Sequence, residues 1–144
     1  MTWRQRWGRG DGGVVTAELV LVTPILIAFL CLVILVGRLV DARGDVIGAA
    51  DQAARVASLQ RTQGAAVAQA QSAAAASVSG EGLNCAGGGP QVGTEFVPSF
   101  QRGATVHITV TCTVNTSDLT YIGVPANITL EEEAWETIDL HRTL

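Results

Sequence analysis

Gly12-Gly13-Val14-Val15-Thr16-Ala17-Glu18-Leu19-Val20-Leu21-Val22-Thr23-Pro24-Ile25-Leu26-Ile27-Ala28-Phe29-Leu30-Cys31-Leu32-Val33-Ile34-Leu35-Val36-Gly37 is the stretch whose reading decides the fold. From Leu19 to Val36 no residue is charged, and only Thr23 and Pro24 interrupt the apolar side chains. About 20 such residues are needed to cross a bilayer core as a helix. With its flank Val14–Glu18 the run reaches that length, and no other stretch of the chain approaches it. One spanning helix is predicted over residues 14–37.

Glu18 is the anomaly in this stretch. A carboxylate inside a membrane helix costs about 2–3 kcal/mol even on the gentler insertion scales. Two readings stand. Either Glu18 lies just outside the bilayer, or it has a partner there. A cut after Gly13 would make Glu18 the fifth residue of a new chain whose α-amino group, at Val14, supplies the nearby positive charge.

Arg9-Gly10-Asp11-Gly12-Gly13 followed by Val14-Val15-Thr16-Ala17-Glu18 and an apolar helix resembles the prepilin-peptidase site of type IV pilin-like proteins. More narrowly, Val15–Pro24 resembles the TadE-like family of tight-adherence pilus proteins, especially its actinobacterial branch. The Ala/Arg-rich stretch Ala49-Ala50-Asp51-Gln52-Ala53-Ala54-Arg55 is similar to that family too. The resemblance implies a minor pilin or pseudopilin: small, single-span, and processed at the glycine. Carried over, Gly13 precedes the scissile bond, Val14 becomes the new N-terminus and Glu18 is the assembly glutamate. Val14 stands where many major pilins carry Phe. The implied partners are the membrane, a prepilin peptidase, other pilin-like subunits and the pilus assembly machinery.

Outward from this stretch, residues 1–13 hold Arg4, Arg6 and Arg9, while beyond the span Arg38 and Arg43 are offset by Asp41 and Asp45. Cations beside a span tend to stay cytoplasmic, so the expected topology is N-terminus inside and C-terminal domain extracytoplasmic. The apolar run is too long for a typical secretory h-region, and no small-x-small cleavage site follows it closely. Leu30 before Cys31 argues against a lipoprotein signal, leaving Cys31 as a membrane-core residue.

The whole chain has 144 residues, 48% hydrophobic and 15% charged, with a net charge of −4. All nine of its cations are arginine. Loss of residues 1–13 would leave six Arg against twelve acids, a charge of −6. Nucleic-acid binders need clustered cations, so no direct nucleic-acid binding is expected.

Residues 38–79 read as an Ala-rich helical stalk. The first helix is expected to continue to about Arg61, with a break at Gly64 and a second helical piece over Ala65–Val78. Val46, Ile47, Ala49, Ala50, Ala53, Ala54, Val56 and Ala57 recur at helical spacing. Asp51 and Arg55 stand one turn apart in the favourable order. Such a small-residue stripe serves close approach of other helices or packing on the chain's own C-terminal domain, and both readings stay open. Ser79–Pro90 is loop. Its Gly87-Gly88-Gly89-Pro90 lacks the Gly-Lys-Ser/Thr of a phosphate-binding loop.

From Ala104 the period changes to two. Val106, Ile108, Val110, Cys112 and Val114 share one face, and Thr105, His107, Thr109, Thr111 and Thr113 the other, which predicts a half-buried strand. Gln91–Val97 and Ala126–Trp135 are further strands, making a small antiparallel sheet in residues 80–144. The fold class is therefore α+β: a membrane helix continuing into an Ala-rich helix, then a sheet. Cys85 and Cys112 lie beyond the membrane, where an oxidising location makes a disulfide the default. His107 and His141 show no metal-ligand spacing with the cysteines, and His107 is expected to be solvated. Glu131 and Glu133 share a face with Trp135 and read as a charged edge that resists strand pairing. No Gly-x-Ser-x-Gly is present. No enzyme, cofactor or metal is expected.

Two classes of function remain: a processed pseudopilin that supports pilus assembly, and an unprocessed single-span anchor for an extracytoplasmic binding module. Gly13 together with Glu18 separates them, because the second class needs neither.

Overall fold

Apolar residues without a break, then alanines at helical spacing, carry one helix a long way. In the computed structural model, which describes the backbone of residues 12–117, 123 and 125–141 and the side chains from Leu19 onward, α1 spans Gly12–Ser58. The order continues with α2 (Gln63–Gly80), β1 (Gln91–Val97), β2 (Thr105–Asn115) and β3 (Asn127–Thr137). The chain divides into two compact units, 1–39 and 40–144, and α1 contributes to both.

The break between the helices falls at residues 59–62, not at Gly64. Thr62 has extended backbone and its hydroxyl accepts from the Ala65 N–H, so it caps α2 two residues before the glycine. An N-cap hydroxyl satisfies an otherwise orphaned donor of the first turn, whereas Gly64 merely lacks a side chain and sits inside α2.

In unit 40–144 the alanine stripe is core. Val46, Ala49, Ala50, Ala53, Ala54 and Ala57 of α1 are buried, as are Ala66, Ala70, Ala74 and Val78 of α2. They join Val106, Ile108, Val110, Cys112, Leu130, Ala134 and Ile138 in one cluster. Of the two readings of the stripe, packing on the chain's own domain is the one observed. Ile47, included in the expected stripe, is exposed. Alanine loses no side-chain rotamer freedom on burial, and its size lets two helix backbones approach the sheet, which supplies the branched side chains.

The sheet is an antiparallel meander in the order β1-β2-β3. The alternation on β2 holds: its apolar face is buried and its threonine face half-buried. On β3 the inward face reads Ile128, Leu130, Glu132 and Ala134, so one carboxylate points towards the core side. Arg43 of α1 donates to it, joining residues 89 positions apart. The Glu132 side chain is 15% exposed, and the pair removes an otherwise costly lone charge.

Cys85 and Cys112 form a disulfide with Cα atoms 5.2 Å apart. Backbone pairing surrounds it: Cys85 bridges Val114, and the Ala86 N–H donates to the Thr113 carbonyl at 2.7 Å. Gly87, Gly88 and Gly89 then turn the chain into β1 with φ of 90°, 93° and 145°. Three successive positive values are accessible to glycine at little cost.

The disulfide and the alanine core each carry expected outcomes. Thiol labelling of the denatured, unreduced chain modifies one cysteine, Cys31, and labelling after reduction modifies all three; Cys85→Ala lowers unfolding free energy by about 3–4 kcal/mol. Separately, Ala53→Leu overpacks the core and costs about 1–3 kcal/mol in a denaturant titration, whereas Ala68→Leu on the exposed side of α2 changes stability by less than about 0.5 kcal/mol.

Candidate functional site

In unit 1–39 the helix presents its apolar side chains outward. Leu19, Val20, Leu21, Ile25, Leu26, Ile27, Phe29 and Leu30 are all exposed, as is the thiol-bearing Cys31. Pro24 lies inside the helix. It has no N–H to give to the carbonyl of Val20. One residue earlier the Thr23 hydroxyl donates to the Leu19 carbonyl at 2.7 Å, so the polar atom is satisfied within the helix. Apolar surroundings demand that internal satisfaction. By length and composition this is a helix able to cross a membrane, and near the N-terminus it fits a single-pass anchor.

The residues expected to be processed and to act in assembly lie at the start of this helix. The backbone of Gly13, Val14 and Glu18 belongs to α1. Their side chains, with all of residues 1–11, lie outside the described residues.

A second group sits on the outward face of the sheet, in unit 40–144. The strand register sets Glu95, His107 and Trp135 in a row across β1, β2 and β3. The His107 and Trp135 rings stack with centroids 3.8 Å apart and planes 10° apart. His107 Nδ1 lies 3.7 Å from Glu95 Oε2, and Nε2 lies 3.2 Å from Glu133 Oε2, the latter outside hydrogen-bond geometry. The histidine expected to be solvated is instead 15% exposed. Its strand is central, so an indole and two carboxylates cover it from both sides. Alternation places His107 and Trp135 on outward faces, but only the register brings them together.

Among the described residues no group of three or more His, Cys, Asp or Glu is placed to hold a metal ion. His141 lies apart, 3.5 Å from Asp139 and exposed. Glu131 is exposed on β3, as expected of a charged edge.

Comparison with known proteins matches residues 13–55 to the family model described as TadE-like protein. No curated protein and no solved structure matches the chain. The matched region opens at Gly13, takes in Glu18 and the apolar helix, and closes at Arg55 among the buried alanines. Residues 13–55 are thus a TadE-like segment, of the family that the N-terminal motif and the Ala/Arg-rich stretch resemble.

Proposed function

We propose that the chain is a minor pilin or pseudopilin of a tight-adherence, type IV-like pilus system, cut by a prepilin peptidase and supporting pilus assembly. The observation that carries this reading is the TadE-like match that begins at Gly13, the residue expected before the cut, and runs on through an apolar, outward-facing helix. The role is structural, not enzymatic. The N-terminus is cytoplasmic, following the arginine excess of residues 1–13, and the domain of residues 40–144 is extracytoplasmic.

Processing between Gly13 and Val14 frees an α-ammonium at the membrane boundary. A glycine before the bond lets the peptidase approach the backbone closely. Glu18 of one subunit then neutralises the Val14 amine of a neighbour as helices pack. In a low dielectric the opposite charges attract strongly, while either charge alone is costly. The pair acts as a register check: a helix in the wrong register strands a charge. The same pair formed within one chain, where Val14 and Glu18 are a helical turn apart, carries no assembly signal.

Mass spectrometry of the protein from cells with an active prepilin peptidase is expected to find Val14 at the N-terminus; an intact Met1 there removes the pilin reading. Glu18→Gln keeps the shape and removes the charge. That variant is expected to insert and to be cut normally, yet to leave cells without pili. Normal piliation by a fully processed Glu18→Gln protein makes the carboxylate a boundary residue only.

A further inference from the structure

The two edges of the sheet are built differently. β3 forms one of them and carries Glu131, Glu132 and Glu133 in succession. β1 forms the other, and Glu95 is its only charged residue. Among the described residues no element but β2 makes a backbone hydrogen bond to β1. The groups left open follow from the register. The Ala86 N–H donates to the Thr113 carbonyl, and on the far side of β2 the Thr116 N–H donates to the Ala126 carbonyl. Successive residues of a strand turn their backbone groups to opposite sides, so Thr105, His107, Thr109 and Thr111 face β1 as Thr113 does. Their partners Val97, Glu95, Gly93 and Gln91 close the ladder. Val92, Thr94 and Phe96 are left with N–H and C=O groups aimed at the open edge.

The side chains of these three residues are incompletely partnered too. Val92 and Phe96 are only partly buried, at the margin of the core. The Thr94 hydroxyl oxygen is buried without a hydrogen-bond partner, and buried polar atoms normally have one. A strand laid along β1 extends the ladder to all three residues and covers Val92 and Phe96 with apolar side chains of its own. A threonine set opposite Thr94 offers its hydroxyl a partner, as Thr129 does for Thr113 at 3.1 Å. Pro90 and Pro98 flank β1 and have no N–H, so the added strand is limited to the length of β1.

Charge selects the occupant. None of the three strands carries an arginine, whereas Glu95, Glu131, Glu132, Glu133 and Glu136 all lie on them. The Glu95 side chain is 73% exposed on the outward face. Its neighbour on an added strand stands in a non-hydrogen-bonded pair, where side chains approach most closely. A cation there is favoured and a carboxylate disfavoured. A second copy of the chain suits this edge less well. Two β1 strands that keep their helical layers on one face pair about a two-fold axis normal to the sheet. That operation reverses α1, which lies along the sheet with Val46 to Ala57 in the core, and chains inserted alike in one bilayer are not reversed. We propose that β1 is a docking edge for an extended, basic segment of a partner protein, added as a fourth strand with Lys or Arg opposite Glu95. The inference does not depend on cleavage at Gly13.

The test is amide hydrogen exchange by NMR on the isotope-labelled full chain in zwitterionic micelles. The probe is the peptide acetyl-Thr-Val-Arg-Thr-Tyr-Val-Arg-amide at millimolar concentration. Laid antiparallel to β1, it sets Arg opposite Glu95 and Thr opposite Thr94. The amides of Val92, Thr94 and Phe96 are expected to exchange more slowly with the peptide bound, and those of Glu131 and Glu133 to be unchanged. The acidic counterpart, with Glu for both Arg, is expected to bind about fivefold more weakly, and Glu95→Gln to narrow that difference. N-methylation of the peptide's central Thr, whose N–H faces β1, is expected to abolish binding. N-methylation of its Tyr, whose N–H faces away, spares it. These changes lie in the peptide, so they leave the fold of the protein untouched. No slowing at the three amides overturns the inference, as does equal binding of the acidic peptide or binding that survives methylation of the Thr. Slowing at the same amides without peptide, growing with protein concentration, overturns it in favour of a second copy.

Discussion

The side chains of Leu19–Val36 have to be covered by something, and within the described residues nothing covers them. That constraint governs the rest of the chain. Water does not tolerate so large an apolar surface, so the helix belongs in lipid or among other apolar helices. The polar atoms it does carry are handled accordingly, the Thr23 hydroxyl being turned back onto the Leu19 carbonyl.

The domain of residues 40–144 solves a different problem. Three strands with one apolar face are near the minimum for independent stability, and small domains bury too little surface to be robust alone. The chain answers with layers. Alanines of α1 and α2 cover the branched residues of the sheet, and the disulfide ties the loop after α2 to the central strand. The edge strand β3 carries Glu131 and Glu133 outward and turns Glu132 inward onto Arg43. Charges at such an edge discourage another strand from adding to it.

Much of this architecture was legible. The switch from an unbroken apolar run to helical spacing, and then to strict alternation at Ala104, marks membrane helix, packed helix and strand in turn. Gln91–Val97 is the strand expected there. What stayed hidden has two causes, one local and one tertiary. Gly64 drew the helix break because glycine is a general breaker, whereas the capping geometry of Thr62 decides it locally. His107 read as solvated because a strand viewed alone has two faces but no neighbours. Its contacts with Glu95, Trp135 and Glu133 follow from register, as the Arg43–Glu132 pair follows from tertiary packing. Of the candidate sites, Gly13 and Glu18 are visible as a motif.

The Cys85–Cys112 bridge also has a mechanical meaning. It encloses β1 in a covalent loop with a sequence separation of 27 and leaves β3 outside it. Under tension along the chain, β3 can peel from β2, but the segment between the cysteines cannot lengthen. At about 3.5 Å per extended residue, roughly 90 Å of contour length is withheld from any pulling force. A domain built this way yields first at its C-terminal strand, and the β1–β2 hairpin is left as a template onto which that strand re-forms when the load is released.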